Sequence, residues 1–143
     1  MRQRTHYLVA VAVSVMTGVA WAGPRADYAL ECGGCHLPDG SGMAPEVPDM
    51  RGIIGHMVKL PEGRAYLARV PGAAQSPLSD AALARVLNWS LETFAAETMP
   101  RDFAPYDAKE VGRLRENVIE RPIPARAALV EKLTEAGLLG SPK

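Results

Sequence analysis

The chain has 143 residues, which suits one domain and leaves little room for two. Its 16 basic and 16 acidic residues cancel, which excludes the electrostatic footprint of a nucleic-acid binder. Hydrophobic residues make up 48%, too many for disorder, while aromatics make up only 6%, so a bound apolar group has room to complete the core.

Residues 1–22 read as a secretory leader. Arg2 and Arg4 form its basic head, Tyr7 to Ala20 carries no charge, and Ala20-Trp21-Ala22 puts small side chains at the cleavage positions. The uncharged run falls short of the ~20 residues a spanning helix needs, so cleavage near Ala22 is expected rather than a retained anchor. The mature chain then starts at Gly23 and is slightly acidic, with no membrane span and a periplasmic location.

Pro24 opens a short helix reaching Glu31, since proline is tolerated in a first turn. Glycine and proline crowd 32–55, which predicts a structured loop without regular elements. A helix is expected over 62–69. Ser79 caps another over 80–95, whose Leu83, Val86, Leu87, Leu91 and Phe94 recur at helical spacing. A loop through Thr98-Met99-Pro100 follows. Asp107 and Glu110 predict a capping box for a helix to about 117, with Ala108, Val111, Leu114 and Val118 on one face. Pro122 and Pro124 are read as breakers, and a last helix runs over 125–136 to Gly137. No strand pattern occurs, so the class is all-α with long loops.

One motif carries chemistry. Cys32-Gly33-Gly34-Cys35-His36 has the C-x-x-C-H pattern of covalent haem attachment. Two thiols so spaced add across the two vinyl groups on one edge of a porphyrin, and the adjacent imidazole reaches the iron. The rival readings are a thioredoxin-like redox pair, half of a zinc site, or a chance match. A redox pair wants a β-α-β setting that this pattern lacks. A zinc site wants two more ligands, and beyond the motif the mature chain has no Cys and only His56.

On these residues the chain resembles the class I (monohaem) c-type cytochromes. Pro48-Asp49-Met50-Arg51-Gly52-Ile53-Ile54-Gly55 is similar to the family's Pro-x-Leu-x-Gly-x-x-Gly segment, with Met50 in the Leu place. The resemblance implies that the Pro48 carbonyl accepts a hydrogen bond from His36 Nδ1–H and that Met50 packs against the haem. It implies a second iron ligand in Met99, which precedes Pro100 and Phe103 as in the Met-Pro…Phe loop of bacterial members. His56, Met57 or an open sixth position are the alternatives. Trp89 would line the haem pocket, and Arg64, Arg69 or Arg85 would pair with a propionate.

The implied architecture is a cytochrome c-like domain over 23–118, its short helices and long loops wrapped around one haem c, with a helical extension over 119–143. Two features depart from the family: the helix before Cys32 is short where the family packs a longer one across its C-terminal helix, and the tail has no counterpart. The implied function is an exported carrier, not an enzyme. It would pass single electrons between redox partners of dehydrogenase or oxidase type. The alternatives are a haem enzyme or gas sensor with an open or displaceable sixth position, and a docking subunit of a larger oxidoreductase complex.

Overall fold

A computed structural model describes residues 23–139, so the expected leader over 1–22 lies outside the described residues. The fold is all-α, and no strand occurs among the described residues. Helix α1 spans Pro24–Glu31, as expected, and starts on the tolerated proline. Within the stretch expected to be irregular, α2 forms over Ile53–Met57. It starts there because Gly52 adopts φ 70°, a left-handed turn that releases the chain from the loop into helix.

Helix α3 spans Pro61–Arg69, and a single turn, α4, spans Pro71–Ala74, which the sequence reading did not separate. Both open on proline. Helix α5, Asp80–Phe94, is capped as expected, with Ser79 Oγ accepting from the Ala82 amide at 3.2 Å. Its Leu83, Val86 and Leu91 are buried at 1%, 2% and 0% exposure. Burying each such side chain contributes about 1.5–3 kcal/mol.

Helix α6, Ala108–Arg115, is capped by Asp107, whose Oδ1 accepts from the Glu110 amide at 2.7 Å. The expected capping box is only half made, because the Glu110 carboxylate turns outward to Arg64 instead of back to the cap. Helix α7 spans Pro122–Glu135. Pro122 and Pro124 sit in its first turn rather than breaking the chain, where a missing N–H costs nothing. Gly137 (φ 66°) ends it, with the Leu138 amide returning to the Leu133 carbonyl at 2.9 Å.

Helix α5 packs against α6 on one side and α1 on another, while α3 packs on α6 and α7 lies on α2 and α3. One apolar cluster joins them: Ile54, Met57 and Val58 meet Leu83, Leu91, Val111, Leu129 and Leu133. The tail therefore shares the core of the preceding chain rather than hanging from it. The short helix before the motif finds its partner in α5, not in α6 or the tail.

Among the described residues no helix is long and apolar enough to cross a membrane.

Candidate functional site

The end of α1 shapes the motif. The amides of Cys32 and Gly33 both donate to the Tyr28 carbonyl at 2.9 Å, and those of Cys35 and His36 then turn back onto the Cys32 carbonyl at 3.1 and 2.8 Å. A side chain at Gly33 would run into the Ala29 carbonyl, so the turn needs glycine for close approach. The result is one compact turn presenting two thiols and an imidazole. Cys32 is half-buried, Cys35 exposed, and the two are not bonded to each other.

Burial pushes the Cys32 thiol up to about 11, and the neighbouring Glu31 and Cys35 add to it. It is therefore protonated at neutral pH, the reverse of the activated thiolate that a dithiol oxidoreductase uses. Burial likewise pushes His36 below its ordinary value, against the opposing pull of Asp49. The ring is neutral near pH 7, the form that donates a lone pair to a metal. Its Nδ1 is buried and has no hydrogen-bond partner.

That orphaned nitrogen bears on Pro48. The expected bond from His36 to the Pro48 carbonyl is not formed. The Pro48 carbonyl packs against Gly42 instead, where a β-carbon would meet it and the Val47 carbonyl. Pro48 also lines a cleft of about 340 Å³ with Ala44, Pro45 and Asp49, facing Ile123 and Arg126 of α7. That cleft does not include the motif.

An aromatic group supports the turn from behind. Tyr28 donates its hydroxyl to the Leu37 carbonyl at 2.8 Å, tying α1 to the chain that leaves His36. Its ring lies 5.1 Å from Trp89 and 5.4 Å from Phe94, and those two meet edge-on at 5.3 Å. Gly40, at φ 80°, sits directly beneath the Phe94 ring, where a β-carbon would clash. Trp89 is thus part of the α1–α5 contact behind the motif. Sequence reasoning passed over Tyr28 and Gly40. Their signal was an aromatic one helical turn before Cys32 and a glycine soon after His36.

The other donor candidates collect around α2. Met57 is 2% exposed, inside the core. His56 is half-buried, with Nδ1 3.2 Å from Lys59 Nζ, and burial and that cation lower its basicity. Met50 and Met99 are half-buried against the core cluster. The Met99 amide donates to the Ala95 carbonyl at 3.2 Å, and Thr98 donates its hydroxyl to Gly52. The Met99 backbone lies beside Gly55 of α2 and the end of α5.

The arginines are committed elsewhere. Arg64 makes a bidentate pair with Glu110 at 2.6 and 2.7 Å, donates to the Ala104 carbonyl at 2.7 Å, and lies over the Tyr106 and Phe103 rings. Arg69 donates to the Asn117 carbonyl at 2.6 Å, and Arg85 is also engaged.

No protein family, curated protein or solved structure matches the chain. The chemistry of the donor set must therefore carry the reading. Two reduced thiols and a neutral imidazole on one turn fit covalent haem attachment, although the second partner expected for His36 is not in place. No group of three or more His, Cys, Asp or Glu side chains among the described residues could hold an ion alone, which gives the zinc alternative no ligand set.

Proposed function

We propose that this chain is an exported, single-haem c-type cytochrome that passes single electrons between redox partners of dehydrogenase or oxidase type. The observation that carries the reading is the turn 32–36, which brings two unbonded cysteines and His36 together on one compact turn. Cys32 and Cys35 would each hold the haem through a thioether, the thiol's sulfur and hydrogen adding across one vinyl group with no leaving group and no change in redox state. When bound, haem supplies the Fe(II)/Fe(III) couple.

The chain's own residues do the rest. Cys32 and Cys35 would fix one edge of the cofactor, and His36 would offer a nitrogen to the iron. Tyr28, Trp89 and Phe94 brace the turn against α5, so the ligand stays put through each redox cycle. The leader over 1–22 supports delivery beyond the cytoplasmic membrane, where such attachment is completed. Met99 is the second ligand that the resemblance implies, and it lies half-buried against the core cluster.

Mass spectrometry of the exported protein tests the proposal. It should give a chain starting at Gly23 plus one haem that survives denaturation, and Cys32→Ala or Cys35→Ala should leave at most one thioether. Haem that extracts freely into acidified organic solvent would end this reading.

A further inference from the structure

His36 stands where two hydrogen-bonded turns meet. The first closes on it, with the His36 amide donating to the Cys32 carbonyl at 2.8 Å. The second opens directly after it. There the Leu37 amide donates to the Ser41 carbonyl at 2.9 Å, and the Gly40 amide returns to the Leu37 carbonyl at 2.9 Å. The imidazole has no such fixing, since its buried Nδ1 lacks a partner. The part of His36 that hydrogen bonds hold is therefore its backbone.

One residue grips both turns. The Tyr28 carbonyl accepts the amides of Cys32 and Gly33, each at 2.9 Å, which starts the first turn. The Tyr28 hydroxyl donates to the Leu37 carbonyl at 2.8 Å, which anchors the second. At 3% exposure the Tyr28 side chain lies inside the fold, where an internal hydrogen bond has little water to compete with. Trp89 and Phe94 close on its ring at 5.1 and 5.4 Å, and Phe94 also covers Gly40 of the second turn.

We infer that Tyr28 is the positioning residue of His36, its hydroxyl fixing the His36 backbone through the Leu37 carbonyl in place of a hydrogen bond to the ring. The inference rests on the haem reading above and adds to it the group that holds this ligand against displacement.

Two variants separate the hydroxyl from the ring: Tyr28→Phe removes the bond and keeps the packing, while Phe94→Leu disturbs the packing and keeps the bond. An acid titration of the exported holoprotein, followed by absorption, reads the pH at which His36 leaves the iron. Tyr28→Phe should raise that midpoint by about half a pH unit, the size of one lost hydrogen bond. Phe94→Leu should raise it less while lowering the urea midpoint at least as much. A wild-type acid midpoint in Tyr28→Phe, or an equal rise in both variants, overturns the inference. Amide hydrogen exchange on the haem-free chain tests the grip without the cofactor. The Leu37 and Gly40 amides should exchange several-fold faster in Tyr28→Phe, while those of Cys32 and Gly33, held by the unchanged Tyr28 carbonyl, should keep their rates. Unchanged exchange at Leu37 and Gly40 overturns the inference whatever the cofactor. Faster exchange there, in a protein whose haem is not covalently held, removes the haem reading and leaves the grip of Tyr28 standing.

Discussion

Arg64 shows how a single side chain is committed by its surroundings. Its fork closes on Glu110 and Ala104 while its plane lies 4.1 Å over the Tyr106 ring, and Tyr106 returns a hydrogen bond to the Arg64 carbonyl at 2.7 Å. The pair is about one-fifth exposed, shielded enough to be worth more than an ordinary surface pair. Arg64→Ala should destabilise the protein by about 2–3 kcal/mol, since it strands a carboxylate and a carbonyl. Arg64→Lys should recover less than half of that, because an ammonium cannot reproduce the fork or the stacking. Urea unfolding of both variants measures this, and a wild-type midpoint for Arg64→Ala would refute it. His56 adds a pH dependence. Burial first, and Lys59 second, lower its folded value below the ordinary 6.5. The unfolded chain then binds the extra proton, so stability is full above pH 6.5 and falls as pH drops below it toward the folded value. Urea midpoints between neutral and mildly acidic pH should show that fall, and His56→Gln should reduce its slope, leaving the part that the buried His36 contributes. Equal slopes in the two proteins would contradict the assignment.

Among the elements, α7 makes the sharpest claim. Leu129 and Leu133 are buried at 4% and 0% within the cluster that holds Ile54 and Met57. Leu133→Ala should therefore cost about 3 kcal/mol, as a cavity in a shared core does. A loss confined to the tail, with the 23–118 segment melting unchanged in calorimetry, would show that α7 is an appendage after all. Gly55→Ala tests the α2–α5 corner. Its new methyl would meet Thr98, the Ala95 carbonyl and the Met99 amide, so it should loosen α2 where an exposed Gly72→Ala should not. Helices with local signatures were legible in the sequence: Ser79 and Asp107 announce α5 and α6 by the chemistry of a single cap. Helices α2 and α4 were not, because five and four residues cannot show a period, and glycine and proline around them argue for loop. Proline misled at α7, since its meaning reverses between a first turn and an interior one. The motif 32–36 was legible because its chemistry is contiguous. The links from Gly40 to Met50 and from Gly52 to Phe94 and Thr98 join residues distant in sequence, so spacing alone did not reach them.

At the scale of the whole molecule, Cys32, Cys35 and His36 stand outside the apolar cluster that α2, α5, α6 and α7 build. A covalently attached haem would add apolar surface beside a motif whose neighbours Leu30 and Leu37 are exposed at 76% and 44%. The holoprotein should then melt well above the haem-free chain, by calorimetry of protein made with and without the attachment machinery. Equal melting temperatures would mean that the cofactor contributes nothing to the fold. The ring cluster behind the motif offers one more consequence. Of the two tryptophans, Trp21 belongs to the expected leader and Trp89 touches both Tyr28 and Phe94. In a chain cut at the expected site, every photon of indole emission would come from the contact between α1 and α5. Energy transfer to a nearby porphyrin would darken that emission in the loaded protein. Its return during unfolding would time the parting of these two helices without any added label.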